Sequence, residues 1–156
     1  MFNITILSIG RIKEKYFADA YSEYLKRLQP YAKIKVEELK AESFSENKAS
    51  QDLAKKVEGE RLINFLNKSN DSRIILLQEN GREYSSIQLA ELLKKEKKRI
   101  IFVIAGALGF SNEIKNKYTE SLSLSQMTFP HELARVVLSE QLYRSATIVN
   151  NKKYHY

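Results

Sequence analysis

Residues 100–107 read IIFVIAGA, an apolar run that ends in small residues. A continuous apolar run of this length predicts a strand that is buried on both faces, here spanning residues 99–105. Small residues directly after such a strand let a ligand approach the backbone, and α/β proteins bind nucleotide-like ligands at that edge of the sheet. The turn at residues 105–109, AGALG, is therefore a candidate ligand site. A tight turn that requires positive φ is the alternative interpretation.

The rest of the chain alternates between strand and helix patterns. The hydrophobic periodicity predicts further strands at residues 2–9, 33–39, 73–78 and 121–125. It predicts helices at residues 16–28, 43–68, 85–95, 111–118 and 130–148. Such alternation indicates an α/β fold with a mostly parallel sheet flanked by helices. No linker, repeat or low-complexity tract interrupts the sequence, so residues 1–156 are predicted to form a single domain.

Capping and turn residues predict where several of these elements begin or end. Ser43 with Glu46 fits a capping box at the start of one helix, and Ser85 with Gln88 fits a second. Asn80-Gly81 predicts a turn after the strand at residues 73–78. That strand is the predicted neighbour of the one described above, and the adjacent carboxyl ends of two strands form a crevice.

Composition excludes several classes of function. The chain has no cysteine, which rules out disulfides, thiolate zinc sites and a cysteine nucleophile. With two histidines, a His-rich metal site is not expected, and no metal is predicted. No apolar run approaches the roughly 20 residues of a membrane span, and the apolar N-terminus lacks the features of a signal peptide. We therefore expect a cytoplasmic protein that does not contact membranes.

The net charge of the chain is +7, from 26 basic and 19 acidic residues. A basic protein concentrates near polyanions, of which ribosomal RNA is the most abundant in a cytoplasm. Nucleic acid is thus the first candidate partner. Acidic small substrates, or a lysine surplus that serves solubility alone, remain as alternatives.

Two segments near the C-terminus offer ligand-binding groups. Residues 124–131, LSQMTFPH, supply backbone amides and hydroxyls before a helix N-terminus, and Met127 and Phe129 could cover the faces of an adenine. Packing of these two side chains in the core is the alternative. The final helix carries a polar row at every fourth position, formed by His131, Arg135, Ser139 and Tyr143. This row could present Arg135 to phosphate and His131 to a proton in transfer, and a merely solvated helix face is the alternative.

The chain ends in the basic and aromatic run KKYHY. Lys152 and Lys153 can contact phosphate, and Tyr154, His155 and Tyr156 can stack on bases. With Arg135 and Arg144, these side chains except Tyr156 form the predicted RNA-binding set. A frayed terminus is the alternative.

Taken together, these segments resemble a known family over essentially the whole chain. The opening ITILSIGRIKEKYF, the run SLSQMTFPHELARVVLSEQLYRS and the terminal YHY are similar to the bacterial ribosomal RNA large subunit methyltransferases H, small enzymes of the SPOUT class. The resemblance implies methyl transfer from S-adenosylmethionine to N3 of a pseudouridine in 23S rRNA. Because the chain is small and shows no separate RNA-binding domain, we expect it to recognise assembled ribosomes rather than bare RNA. The resemblance also implies a homodimer and a deep trefoil knot over about residues 100–150, in which the cofactor binds in a bent form.

The resemblance further implies which positions contact the cofactor: Leu77, Ala105, Gly106, Gly109, Leu124, Ser125, Gln126, Met127, Thr128 and Phe129. The chain departs from the family at two points. Ala105-Gly106 stands where the family usually has two glycines, and the alanine strains the backbone only if its φ is positive. Tyr156 follows the terminal Tyr-His, where a basic residue is common.

The proton on N3 of the target base has to leave before or during methyl transfer. His155 is the first candidate to assist its removal, because the tail could fold over the pocket, including the pocket of a partner subunit. His131 is the second candidate, and Arg135 and Lys153 could favour the anionic base. Two other functions stay open. One is a ribosome-associated RNA-binding factor without catalysis. The other is a nucleotide-binding oxidoreductase. The glycine-rich fingerprint of that class needs several glycines directly after the first strand, where this chain has only Gly10.

Overall fold

The computed structural model describes residues 1–156 and is built around one five-stranded sheet. Its strands are β1 (Phe2–Ile9), β2 (Ala32–Leu39), β3 (Ser72–Glu83), β4 (Arg99–Ile104) and β5 (Ser121–Ser123). The order across the sheet is β2-β1-β4-β3-β5, and all four pairings are parallel. The prediction of a mostly parallel sheet in which β3 and β4 are neighbours is confirmed.

Five helices cover the two faces of the sheet: α1 (Lys15–Leu28), α2 (Lys48–Asn67), α3 (Ser86–Lys95), α4 (Asn112–Lys117) and α5 (His131–Val149). Helices α1, α3 and α5 pack on one face, and α2 and α4 pack on the other. None of the five is both long enough and apolar enough to cross a lipid bilayer.

Alternation along the central strands explains this layering. Successive strand residues point to opposite faces. In β4, Ile100 and Phe102 therefore join the core under α1, α3 and α5, whereas Ile101 and Val103 join the core under α2 and α4. Because both faces are covered, apolar residues occupy five of the six positions of β4 and five of the eight positions of β1.

One of the two predicted capping boxes is confirmed. Ser85 Oγ accepts a hydrogen bond from the Gln88 amide at 3.1 Å, and Gln88 Oε1 accepts one from the Ser85 amide at 2.9 Å. The box predicted at Ser43 and Glu46 is wrong. Helix α2 begins after Asn47, whose side chain accepts hydrogen bonds from the first helical amides. Asparagine and serine are both favourable N-cap residues, so the sequence alone did not distinguish a helix that begins after Ser43 from one that begins after Asn47.

The turn predicted at Asn80-Gly81 is wrong as well. Strand β3 continues to Glu83, and its ladder with β5 shifts register, since Leu77 and Arg82 both pair with Leu122. The four residues between them have no partner in β5, so the chain forms a bulge rather than a turn. Gly81 is required there by close packing, because a Cβ at this position would lie 2.9 Å from the Leu122 carbonyl carbon.

Helices α2 and α4 meet through a contact that only glycine permits. A Cβ built on Gly59 would lie 2.5 Å from Ser111 Oγ and 3.2 Å from Ser111 Cβ. Ser111 is the N-cap of α4, and its Oγ accepts a hydrogen bond from the Ile114 amide at 3.4 Å. Gly59 therefore lets α2 approach the start of α4, and this approach fixes the segment that connects β4 to α4.

We expect Gly59→Ala to lower the free energy of unfolding by about 1–2 kcal/mol, since overpacking costs more than the gain in helix propensity. Urea denaturation measures the change. In a double-mutant cycle, Ser111→Ala should relieve part of the clash, so the double variant should be less destabilised than the sum of the two single variants. Strict additivity, or a more stable Gly59→Ala protein, would show that the contact is not tight.

Candidate functional site

A cavity of about 770 Å³ opens where β3, β4 and β5 end. Its size lies within the range of roughly 300–1,000 Å³ that is usual for small-molecule sites. Nine of the ten positions predicted to contact a cofactor line this cavity: Leu77, Ala105, Gly106, Gly109, Leu124, Ser125, Met127, Thr128 and Phe129. Gln126 is exposed and does not line it. The side chains of β3, the turn after β4 and the segment before α5 are thus brought together.

The turn after β4, residues 105–109, adopts an unstrained backbone beside the cavity. Ala105 does not have a positive φ, so the alanine that replaces a glycine of the family causes no backbone strain. Gly109 does have a positive φ of 79°, and its amide donates to the Gly106 carbonyl at 3.1 Å. Gly106 passes close over α2, because a Cβ there would lie 3.1 Å from the carboxylate of Glu58.

The segment before α5 leaves most of its backbone groups free, the exception being the Met127 amide, which donates to Ser125 Oγ at 3.0 Å. Residues 124–129 form no backbone–backbone hydrogen bond, and within residues 105–108 only the Gly106 carbonyl takes part in one. Backbone amides and carbonyls normally find partners in a folded protein, so two free segments that face one cavity can bind a polar ligand. Met127 is 78% exposed at the rim, so its predicted alternative role in the core is wrong.

His131 is a titratable side chain that lines the cavity from the first residue of α5. Its Nδ1 is buried and has no hydrogen-bond partner. Burial, and then the positive charge of Arg135, hold the pKa of His131 below its usual value of 6.5. The imidazole is therefore neutral near pH 7 and can accept a proton.

Both interpretations of the polar row of α5, a phosphate-binding face and a solvated face, are wrong for Arg135 and Ser139. Arg135 has no exposed surface, and Ser139 is buried as well. The guanidinium of Arg135 donates to Glu38 Oε2 at 3.0 Å and to the Ile9 carbonyl at 2.7 Å. Arg135 is thus enclosed by the ends of β1 and β2 and does not line the cavity, so it is not placed to contact an RNA phosphate.

The basic aromatic tail is docked on the other end of α5 rather than frayed. The Tyr154 hydroxyl donates to Glu140 Oε1 at 3.0 Å, and its ring packs edge-on against Tyr143 at a centroid distance of 4.7 Å. Arg144 also binds Glu140, at 2.5 Å, and lies 3.2 Å from Nδ1 of His155. Lys152 and Lys153 remain exposed.

The cavity and the tail lie far apart within one chain. His131 lines the cavity, and Arg144, which holds His155, lies thirteen positions later on the same helix, a rise of about 20 Å. The two candidate proton acceptors, His131 and His155, are therefore at opposite ends of α5. A single chain does not place both of them at one ligand.

Two lysines that line the cavity carry no signal in the sequence. Lys55 of α2 and Lys115 of α4 both line the cavity, although neither lies in a motif. Gln78, Glu79 and Asn80 line it from the bulge of β3, where Ser123 Oγ donates to the Glu79 carbonyl at 2.8 Å. No three His, Asp or Glu side chains gather as a metal site requires.

The sequence model of the family described as "Predicted SPOUT methyltransferase" matches residues 2–155. The chain belongs to the SPOUT methyltransferase family. Two relatives have the name ribosomal RNA large subunit methyltransferase H. The protein from Bacillus cytotoxicus is 45% identical and aligns over 98% of this chain and 99% of its own length. The protein from Pelotomaculum thermopropionicum is 43% identical over the full length of both chains.

Solved structures share the fold at low sequence identity. A chain from Haemophilus influenzae, described as a probable methylase family protein, superposes with a TM-score of 0.58 at 18% identity. It aligns over 99% of this chain and 71% of its own length. A methyltransferase-fold protein from Legionella pneumophila, solved with bound S-adenosylmethionine, gives a TM-score of 0.53 at 12% identity over 90% of this chain and 65% of its own.

SPOUT methyltransferases take their methyl group from S-adenosylmethionine, and the cavity fits this cofactor. Apolar side chains from Leu77, Leu124 and Phe129 can cover a purine ring. The free backbone groups of residues 105–108 and 124–129 can meet its polar edge. The turn at Ala105 and Gly106 is unstrained in the conformation that lines the cavity.

The low pKa of His131 predicts a dependence of stability on pH. As the pH falls through 6.5, the unfolded chain takes up a proton before the folded chain does, so the free energy of unfolding should decrease. Chemical denaturation at pH 7.5 and pH 5.5 measures this loss, which should be smaller in His131→Gln. Because the chain has two histidines, the one imidazole NMR signal left in His155→Ala reports His131 directly. A pKa at or above 6.5 for that signal would contradict the account.

Proposed function

We propose that the protein transfers a methyl group from S-adenosylmethionine to N3 of a pseudouridine in 23S rRNA, acting on assembled ribosomes in the cytoplasm. The observation that carries this proposal is the cavity lined by two segments with free backbone groups, in a chain that is 43–45% identical to proteins named ribosomal RNA large subunit methyltransferase H. The net charge of +7 supports an RNA partner.

The chain's first task is alignment. The bound sulfonium supplies an activated methyl group, so the protein has to hold donor and acceptor in line, which can contribute roughly 7–11 kcal/mol. We propose that Leu77, the turn at residues 105–109 and the segment at residues 124–129 hold the cofactor. We further propose that residues of about 100–150 form the family's trefoil knot, within a single domain of residues 1–156.

The second task is removal of the N3 proton. His131 is neutral near pH 7 and lies at the cavity, so it can accept a proton or a hydrogen bond there. His155 remains our first candidate for the base, because the exposed tail offers it together with Lys152 and Lys153 to an RNA surface. These cations, with Arg144 and Tyr154, form the proposed RNA-binding set.

We propose that the working unit is a homodimer in which the tail of one chain completes the cavity of the other. The separation of about 20 Å along α5 supports this arrangement, since the tail of a chain does not reach its own cavity as docked. Most soluble homo-oligomers are symmetric dimers, and such symmetry would give two equivalent composite sites.

The proposed reaction is tested by mass spectrometry of 23S rRNA from cells with and without the protein. We expect one methylpseudouridine to disappear from the strain that lacks the protein and to return with the wild-type gene. A gene that encodes His155→Ala should restore little of the methylpseudouridine, because loss of a general base lowers reaction rates by about 100-fold or more. Full modification in the deleted strain would instead favour the alternative, a ribosome-associated RNA-binding factor without catalysis.

The composite site is tested by complementation. A chain truncated before Lys152 lacks the tail, and Ala107→Trp fills the cavity from an exposed lining position without disturbing the core. Each homodimer should be inactive. Coexpressed chains should recover about a quarter of wild-type activity, since half of randomly paired symmetric dimers are mixed and each of these has one intact site. No recovery in a purified mixed dimer would assign tail and cavity to the same chain.

A further inference from the structure

Two lysines from different helices line the cofactor cavity and have no role in the structure itself. Lys55 of α2 is partly buried, and Lys115 of α4 is exposed. Neither takes part in any of the nine ion pairs of the chain or in a side-chain hydrogen bond. Their ammonium groups are therefore available to a ligand.

The packing of α2 against α4 holds both lysines at the cavity. Lys55 lies one helical turn before Gly59, and Lys115 lies one turn after Ser111, while Gly59 and Ser111 form the close contact between the two helices. The Phe110 side chain, which also lines the cavity, packs in the core beneath α2 and α4. The side of the cavity formed by Lys55 and Lys115 is thus positioned by packed helices and not by a loop.

The charges on the cofactor decide what this side of the cavity can bind. The sulfonium and the amino group are positive, so a nearby lysine would repel them, whereas the carboxylate of the methionyl end attracts an ammonium group. The lining at residues 124–129 consists of backbone, apolar side chains and the hydroxyls of Ser125 and Thr128 and carries no charge, which suits the adenine. The cofactor can therefore place its carboxylate beside the two lysines and its adenine beside residues 124–129 in only one orientation.

We infer that Lys55, assisted by Lys115, binds the carboxylate of S-adenosylmethionine and so sets the direction in which the cofactor lies in the cavity. This inference rests on the proposed function, because it requires that the cavity binds the methyl donor. Lys55 acts as a specificity-determining residue: it distinguishes cofactors that carry the carboxylate from nucleosides that do not.

The experiment is isothermal titration calorimetry of the full-length protein without RNA. The two ligands are S-adenosylmethionine and its decarboxylated form, which lacks only the carboxylate. The variants are Lys55→Met, Lys115→Met, the double variant and Lys55→Arg, with Lys56→Met as the matched control. Lys56 is exposed on the same helix and does not line the cavity, so this control removes one positive charge while leaving the proposed contact in place.

We expect the double variant to bind S-adenosylmethionine about tenfold more weakly than the wild-type protein, as a lost charge-assisted hydrogen bond predicts. Its affinity for the decarboxylated form should not fall. Lys55→Arg should keep most of the preference for the carboxylate, and Lys56→Met should bind like the wild-type protein. Circular dichroism melting of each variant checks that the fold is intact.

Several outcomes would overturn the inference. Equal weakening for both ligands would show that the lysines do not contact the carboxylate, and unchanged binding of both would show that they do not contact the cofactor. In a separate titration with an rRNA fragment, weaker RNA binding by the double variant together with unchanged cofactor affinity would assign the lysines to RNA phosphate. A wild-type protein that binds neither ligand would contradict the proposed function itself, which separates that failure from a failure of the inference.

Discussion

Strand β3 forms parallel ladders with β4 on one side and with β5 on the other, and these ladders bring distant parts of the sequence to one edge of the sheet. Because all the strands are parallel, their carboxyl ends meet at that edge. The turn after β4 and the segment after β5 therefore face each other across the end of β3. The bulge of β3 places residues 78–80 in the cavity lining, and the close approach of Gly81 to Leu122 holds the bulge against β5.

The interior polar contacts of α5 keep the start of this helix beside the cavity. Arg135 joins α5 to the ends of β1 and β2 through Glu38 and the Ile9 carbonyl. Glu132, in the first turn of α5, accepts hydrogen bonds from the Lys13 and Glu14 amides at 2.8 Å and 3.0 Å. A helix held at its first turn by two such contacts places His131 reproducibly. Arg135 thus acts on the site through position and through the pKa of His131.

Local sequence patterns were sufficient for the strands, since burial on both faces of β1 and β4 demands the apolar runs that the sequence contains. They failed where tertiary contacts decide. A spacing of four residues placed His131, Arg135 and Ser139 on one helix face, but periodicity does not tell whether an arginine on that face meets water or a buried carboxylate. Lys55 and Lys115 reach the cavity through the packing of Gly59 on Ser111, which no local pattern records. The cofactor positions followed from the family resemblance.

The account depends on the claim that the backbone segments at residues 105–109 and 124–129 hold a nucleoside between them. A crystal structure of the protein with S-adenosylhomocysteine, the demethylated product of the cofactor, tests this claim most directly. The account predicts that the adenine lies in the cavity, hydrogen-bonded to the backbone of residues 124–129 and in contact with Leu77 and Ala105. A ligand bound elsewhere, or a cavity closed by the Ala105 methyl group and Phe129, would contradict it.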